Sequence, residues 1–203
     1  MRDLSATRAH YTSSNAQPAE GVKVWDVLIR MFHWSLVILF FTAYLSEDSQ
    51  ETVHFYAGYG VAFLIVFRLL WGFIGTRHAR FRNFVTSFSD VKSYLKSLLS
   101  QRAKHYSGHN PAGGWMVVTL LLTLGLLSVS GLLMAAGEGS GPLTNFYTAG
   151  HWLFAESWLE PVHEFSANFM ISLIVIHVAG VVVSSVLHKE NLIKAMLTGK
   201  KKH

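Results

Sequence analysis

Four of the eleven histidines lie within or at the edge of strongly apolar stretches of the chain, namely His33, His54, His163 and His177. Ionisable side chains at membrane depth cost free energy, so each of them is a candidate functional residue. A single histidine in a helical bundle is most often a hydrogen-bonded core residue. The interpretation therefore depends on how the four histidines are arranged.

The spacing of the four histidines predicts two pairs at two depths. His163 and His177 are 14 residues apart, which on one helix places them about 40° apart around the axis and about 21 Å apart along it. The first span enters the membrane from the cytoplasm and the second from the opposite side. His33 therefore lies at the level of His177, and His54 lies at the level of His163. We call these the inner pair and the outer pair.

Two facing imidazoles match the two axial positions of a haem iron. Zinc needs four ligands, or three and a water, and Glu164 beside His163 has no counterpart near His177. With both axial positions filled, the iron transfers electrons and has no position for a substrate. The chain has no cysteine, which excludes disulfides, thiolate metal sites and covalent haem attachment, so the haem would be of the b type.

Composition and apolar runs predict the elements that position these histidines. Of 203 residues, 51% are hydrophobic and 14% are charged, against roughly 25% charged in soluble domains. Four stretches are long enough to cross a bilayer, at about 27–45, 54–75, 115–136 and 162–187. No stretch alternates like a membrane β-strand. The fold class predicted is an all-α integral membrane four-helix bundle.

The distribution of charge predicts the topology. Apart from Arg68, every lysine and arginine lies in the N-terminal segment, the loop between the second and third spans, or the C-terminal tail. The positive-inside rule then places both termini of this multi-pass membrane protein in the cytoplasm. The net charge of +5 follows from this segregation, and we expect no nucleic-acid partner. Arg68, near the inner end of the second span, is expected to snorkel.

The domain organisation follows from these spans. Residues 1–21 are expected to form a flexible tail and not a cleaved signal peptide, residues 22–200 the transmembrane domain, and residues 201–203 a basic tail. An amphipathic pattern over about 88–102 predicts an interfacial helix, capped by Ser89. Pro161 is expected in the first turn of the fourth span.

Several further residues are candidates for contacts to haem or quinone: Arg30, Gly58, Tyr59, Arg68 and Gly131. Small residues would let a porphyrin edge approach a helix, although ordinary helix packing explains them equally well. Arginines would pair with propionates or serve as anchors. The histidines outside the spans (His78, His105, His109, His151 and His188) are expected to be solvated, with His151 the one rival for the outer pair.

The chain resembles the bacterial cytochrome b-561 family, which includes the b-type cytochrome subunits of nickel–iron hydrogenases. The resemblance covers about residues 22–200 and is carried by VWDxLIRxFHW (24–34), HxxxGY (54–59), FRLLWGFIG (67–75), HNPAGG (109–114), HE (163–164), IHV (176–178) and LHKENLIKAMLTGK (187–200). It implies four helices and two b haems with bis-histidine ligation, and it selects the same four histidines as the depth argument.

The resemblance also implies electron transfer across the membrane, between a quinone pool and a periplasmic redox partner. That partner is a c-type cytochrome, a hydrogenase or superoxide, depending on the family member. Acidic outer loops would suit a basic partner such as a c-type cytochrome, but the positive-inside rule alone also accounts for them.

A homodimer is left open. A metal-ion transporter that uses intramembrane histidines is the remaining alternative, although the third span offers it little polar path.

Overall fold

The computed structural model describes residues 22–47, 49–100, 102, 104–106, 108–147 and 151–201. The predicted tail at 1–21 lies outside the described residues. The described elements are β1 (Val22–Lys23), α1 (Val27–Ser46), α2 (Glu51–Ile74), α3 (Phe88–Leu99), α4 (Pro111–Gly137), α5 (Glu156–Leu187), α6 (Leu192–Thr198) and β2 (Lys200–Lys201), with short 3₁₀ turns at Phe81–Asn83, Thr144–Phe146 and Trp152–Phe154.

Four of these helices, α1, α2, α4 and α5, are long and apolar enough to cross a membrane. The predicted all-α membrane bundle is therefore confirmed. The fourth span starts at Glu156, so Pro161 lies inside α5 and not in its first turn. A proline at this sixth position removes one intrahelical hydrogen bond, the one that residue 161 would donate to the carbonyl of residue 157.

Side-chain caps define where the helices begin on the side that carries both chain ends. The carboxylate of Asp26 accepts a hydrogen bond from the backbone N–H of Ile29 at 2.8 Å and starts α1. Asn110 caps α4 ahead of Pro111. Helix α3 is capped by Ser87 in a capping box with Asp90, so the predicted cap at Ser89 is wrong by two residues. Ser87 is favoured because Asp90 stands at the third helical position and completes the box.

The spans pack in a chain of neighbours, with α1 against α2, α2 against α4, and α4 against α5. Their shared core contains Phe40, Val61, Ile65, Leu124 and Met170. Large apolar side chains elsewhere on the spans point outwards, including Phe63 and Phe73, which are more than 70% exposed. An apolar outer surface is stable in a bilayer, where lipid replaces water as the solvent.

The end of the bundle that carries β1, α3, α6 and β2 is here called the basic end. There β1 pairs antiparallel with β2, with Val22 opposite Lys201 and Lys23 opposite Lys200. Lys201 is buried, and its Nζ donates to the carbonyl of Tyr106 at 3.1 Å and lies 3.5 Å from a carboxylate oxygen of Glu190. Strand pairing and an ion pair therefore hold Lys201, the first residue of the predicted basic tail, in the fold.

Arg68 does not snorkel. Its side chain is 4% exposed, and one terminal nitrogen donates to the carbonyl of Ala79 at 3.1 Å. Its guanidinium carbon lies 4.7 Å from the ring centroid of Phe81. The segment after α2 folds back over the helix end and supplies both partners, so the charge is held inside the protein.

Candidate functional site

The outer pair of histidines meets in a cavity of about 340 Å³ between the spans, at the end opposite the basic end. His54 lies in the first turn of α2, and His163 lies two turns into α5. Their ring centroids are 6.1 Å apart. Two metal–nitrogen bonds of about 2 Å each, plus the two ring radii, give roughly this separation for imidazoles on opposite sides of one iron.

A backbone carbonyl determines the protonation of the His54 ring. Its Nδ1 lies 2.9 Å from the carbonyl oxygen of Ala43 in α1. Because a carbonyl only accepts, Nδ1 carries the proton and donates it. The Nε2 lone pair of His54 is then available for a metal. Metal-bound histidines commonly have this arrangement.

A serine determines the protonation of His163 in the same way. Ser130 Oγ lies 2.9 Å from the carbonyl of Leu126 and 3.0 Å from that of Leu127, so its single proton is donated there. Its oxygen then accepts from Nδ1 of His163, at 3.1 Å. The Leu127 carbonyl also hydrogen-bonds with His163. The lone pair of Nε2 of His163 is therefore available for a metal, as it is in His54.

Glycines shape the walls of the outer cavity. A methyl group at Gly131 would lie 2.9 Å from Cε1 of His163, so this position requires glycine for the ring to sit where it does. Gly58 faces open space on the cavity wall, where a methyl group would meet nothing within 4 Å. Gly60 instead packs against Leu39, which makes it a helix-packing residue. Tyr59 also lines the cavity.

The mouth of the cavity is acidic. Glu47, Glu51 and Glu138 line it, without any lysine or arginine among the described lining residues. Partial burial raises the pKa of Glu138, and the neighbouring charges of Glu51 and Glu156 raise it further. The field at this mouth therefore attracts cationic groups.

The inner pair lies at the basic end of the bundle. His33 is six residues into α1, and His177 is ten residues from the end of α5. The two rings are close enough to interact electrostatically. Nδ1 of His33 is shielded from solvent and has no hydrogen-bond partner among the described residues. Among the described residues, His33 therefore lacks the fixed acceptor that His54 and His163 each have.

Buried nitrogen atoms without a partner among the described residues collect near the inner pair. They belong to Arg30 (Nε), His33 (Nδ1), Trp34 (Nε1), Arg68 (one terminal nitrogen) and His109 (Nδ1). Buried donors without acceptors are rare in native proteins and call for an explanation such as a bound ligand. Arg30 already forms one hydrogen bond, since a terminal nitrogen of its guanidinium donates to the carbonyl of Leu197 in α6.

His109 is not solvated as the sequence predicted. Its ring centroid lies 4.7 Å from those of Trp25 and Phe84. Burial lowers the pKa of His109, and the charge of Arg68 lowers it further. No periodicity marked this residue because it lies in a loop, and the signal in the sequence was its place in the HNPAGG motif at 109–114.

The other histidines outside the spans lie away from the outer cavity. His151 begins a 3₁₀ turn, where its Nδ1 accepts from the backbone N–H of Leu153 at 3.2 Å, and it does not line the cavity among the described residues. His105 pairs with Glu190 at 2.8 Å. Within the described ranges, no three histidine or acidic side chains converge as a metal-ion site. The geometry thus gives no support to a zinc site.

Four apolar spans that enclose facing, tautomer-fixed histidines define a membrane protein of the cytochrome b class. The family model of prokaryotic cytochrome b561 matches residues 24–199. The chain therefore belongs to the prokaryotic cytochrome b561 family. It is a multi-pass bacterial membrane protein, and membership in this family makes it a haem b-binding protein of electron transport.

Curated relatives resemble the chain over most of its length. A probable Ni/Fe-hydrogenase B-type cytochrome subunit of Bradyrhizobium diazoefficiens is 25% identical, covering 98% of this chain and 93% of its own. Proteins with the same description from Rhodobacter capsulatus (25% identical, covering 88% and 80%) and Azotobacter chroococcum mcd 1 (27%, 88% and 88%) are also similar. No solved structure matches the chain with statistical significance.

Proposed function

We propose that this protein carries single electrons across the bacterial inner membrane through two b haems with bis-histidine ligation. His54 and His163 would hold the outer haem, and His33 and His177 the inner haem. The observation that carries the proposal is the outer pair, whose centroids lie 6.1 Å apart with both Nδ1 atoms committed to acceptors. A haem with both axial positions filled supplies reversible one-electron chemistry without binding a substrate at iron.

The residues of the chain supply orientation and exclusion of water at the outer site. The hydrogen bonds to Ala43 and Ser130 occupy both Nδ1 atoms, which would leave both Nε2 lone pairs for one metal, and Gly131 leaves room for the His163 ring. The cavity is lined mostly by apolar side chains such as Phe40 and Leu127. Such a lining would hold a haem without a covalent bond, because burial of the apolar surface of the haem contributes binding free energy in proportion to the buried area.

At the inner site, the partnerless donors support a bound carboxylate. Arg68 is buried with one terminal nitrogen unused, and Arg30 has a shielded Nε. Haem propionates would satisfy these donors with charge-assisted hydrogen bonds. We propose Arg68 and Arg30 as propionate partners, or as contacts for a quinone that exchanges electrons with the inner haem. Gly58, Tyr59 and Gly131 would contact the outer haem.

We propose that both termini are cytoplasmic and that the acidic mouth faces the periplasm, as the positive-inside rule requires. The outer haem would then exchange electrons with a periplasmic redox protein and the inner haem with the quinone pool. A soluble c-type cytochrome would suit the acidic mouth electrostatically, and superoxide is a further alternative as the outer reactant.

A hydrogenase is the favoured periplasmic partner, because relatives described as hydrogenase cytochrome subunits align with 88% or more of this chain. Co-purification of the tagged protein from solubilised membranes distinguishes the candidates. A nickel-containing complex would support the hydrogenase role, and a c-type cytochrome in its place would contradict it.

Absorption spectra of the purified protein, with haem quantified as pyridine haemochrome, test the proposal. We expect two low-spin b haems per chain. Alanine at His54, at His163 or at both should each remove the same single haem, because either loss breaks one bis-histidine site. Alanine at His33 or His177 should remove the other, and His151→Ala, the control, should remove none. A colourless protein from haem-replete cells would contradict the proposal.

A further inference from the structure

A buried positive charge lies at the basic end without a matching carboxylate. Arg68 is 4% exposed, and it forms no ion pair with any described residue. One of its terminal nitrogens donates to the carbonyl of Ala79, while the other is shielded from solvent and has no partner within the described ranges. A buried charge is strongly destabilising unless an opposite charge compensates it. The guanidinium therefore points to a bound anion.

The carboxylate of Asp26 interacts electrostatically with Arg68, but other donors already occupy it. One of its oxygens accepts from the backbone N–H of Ile29 at 2.8 Å. The other accepts from the indole of Trp71 at 3.3 Å and from the hydroxyl of Thr76. These bonds fix Asp26 beyond ion-pair distance of Arg68. Asp26 therefore does not satisfy the free nitrogen of the guanidinium.

A second nitrogen without a partner lies beside Arg68. Nδ1 of His109 is shielded from solvent and forms no hydrogen bond with any described residue. Both side chains border the ring of Phe84: its centroid lies 5.9 Å from the guanidinium carbon of Arg68 and 4.7 Å from the ring centroid of His109. The charge of Arg68 also acts electrostatically on His109. Two unpartnered nitrogens beside one ring suit the two oxygens of a single carboxylate.

Two glycines hold the segment that carries Phe81 and Phe84 in this position. A methyl group at Gly72 in α2 would lie 2.0 Å from the ring of Phe81, and one at Gly114 in α4 would lie 2.4 Å from the carbonyl oxygen of Phe84. Since only glycine permits such close approach, the segment is clamped between α2 and α4. Groups that are fixed before a ligand arrives lose little freedom when it binds, which favours binding.

The electrostatic surroundings indicate a negatively charged ligand close to the inner pair. The groups that act electrostatically on His109 are all basic: Arg68, Lys201, His78 and His177. A quinone carbonyl would leave the charge of Arg68 uncompensated, whereas a carboxylate neutralises it. A haem held by His177 brings carboxylates to this place, because each haem carries two propionates.

We propose that Arg68 and His109 together bind one propionate of the inner haem, with a terminal N–H of Arg68 and the Nδ1–H of His109 each donating to the carboxylate. This role rests on the inner haem of the proposed function. It makes His109, in the loop before α4, a haem-binding residue outside the four spans.

Redox titration of the full-length haem-loaded protein in detergent tests this role. The inner haem is identified as the one that His33→Ala removes. A hydrogen bond to a propionate draws negative charge away from the haem, so its loss stabilises the oxidised state. In His109→Phe, which keeps the ring and removes the donor, we expect about a tenfold shift of the equilibrium toward the oxidised inner haem. For one electron this is a midpoint potential lower by about 59 mV.

Two further variants separate the hydrogen bond from a change of packing. His109→Asn retains a donor near the position of Nδ1 and should restore most of the midpoint potential. His188→Phe replaces another half-buried histidine of the basic end and should leave both midpoint potentials unchanged. An inner midpoint potential that is unchanged or raised in His109→Phe would overturn the proposal.

Infrared difference spectra between the oxidised and the reduced protein identify the acceptor. The haem is labelled with the heavy stable isotope of carbon in its propionate carboxyl groups, which marks their bands. We expect His109→Phe to shift a labelled carboxylate band that His188→Phe leaves in place. A shifted quinone carbonyl band, with the labelled bands unchanged, would overturn the propionate in favour of a quinone.

Haem content separates the failure of this role from the failure of the proposed function. Because the four proposed ligands are intact, His109→Phe should retain two haems per chain. Two haems with unaltered propionate bands in this variant would overturn the contact with His109 alone. A wild-type protein that loses no haem on replacement of His33 or His177 by alanine would overturn the inner haem itself, and the contact with it.

Discussion

Ser130 Oγ lies 3.1 Å from Nδ1 of His163, and this contact presents Nε2 of His163 to the outer cavity. The serine is 2% exposed, and its own proton is committed to carbonyls of its helix. A donor bond from Nδ1–H makes the imidazole a stronger electron donor to a metal. Ser130 is thus a positioning residue for the proposed outer haem.

Replacement of Ser130 by alanine should raise the midpoint potential of the outer haem, because a weaker imidazole donor stabilises the oxidised iron less. The Leu127 carbonyl still accepts from His163, so we expect a moderate shift of about 30–60 mV, on a scale of about 59 mV per tenfold change in the equilibrium. Spectroscopic redox titration measures it. Ser128→Ala, which alters the same cavity without a bond to histidine, is the control, and an equal shift in both variants would refute the role.

Gly131→Ala should cost the protein its outer haem while the inner haem is kept. The added methyl group would lie 2.9 Å from Cε1 of His163, closer than the ring can tolerate, and it would displace the ligand. A displacement of about 1 Å is enough to spoil a site of defined geometry. Haem content per chain measures the loss. Gly125→Ala is the matched control, since a methyl group there meets nothing within 4 Å; two haems in the Gly131 variant would contradict the prediction.

Arg68→Gln should destabilise the protein by about 1–3 kcal/mol, because it removes a buried charge-assisted hydrogen bond to Ala79 and the contact with the Phe81 ring. Arg68→Lys should restore little, since an ammonium group lacks the planar face and the fixed fork of donors on separate nitrogens. Thermal unfolding in detergent compares these variants with Arg82→Gln, which removes the same charge from an exposed position. Similar midpoint temperatures of unfolding for Arg68→Gln and Arg82→Gln would show that the buried contacts of Arg68 do not stabilise the protein.

His109→Phe should make the protein less sensitive to acid. Burial holds the pKa of His109 below its ordinary value of 6.5, so below that pH the unfolded chain binds a proton that the folded protein does not. Stability is therefore lost as the pH falls below about 6.5. Phenylalanine keeps a ring between Trp25 and Phe84 and removes the proton uptake. Unfolding measured between neutral and acidic pH gives the slope of the free energy of unfolding against pH. The partly buried His78 and His188, whose pKa values are also lowered, keep part of this slope in the variant. A slope equal to that of the wild type would contradict the prediction.

The spans and the outer pair of histidines were predictable because hydropathy and helical periodicity act over long stretches of sequence. His54 and His163 occupy matched depths on helices whose directions alternate, so counting residues sufficed to pair them. Ser130 and Ala43 were not predictable, since their contacts depend on the rotation of α4 and α1 about their axes. Small residues and side-chain packing set that rotation, and neither leaves a repeat in the sequence.

The basic end was harder to predict because its structure comes from contacts between distant segments. Arg68 resembled an anchor near a span end, and only the fold of residues 77–84 over α2 reveals its partners. The contacts of Lys201 were not predictable for the same reason, since its partners Tyr106 and Glu190 lie elsewhere in the chain. Local patterns indicate neither contact.

The pairing of β1 with β2 has a consequence for biosynthesis. The strand at Val22–Lys23 and the carbonyl of Gly199, which accepts from the backbone of Val24 and Trp25, are joined across nearly the whole chain. The ribosome must therefore deliver residue 201 before β1 meets its partner strand, so this clasp forms only after all four spans have been synthesised. Closure of so long a loop adds only a slowly growing entropic cost. A circular permutant that joins the two strands directly would form the clasp at once and should assemble with a shorter delay.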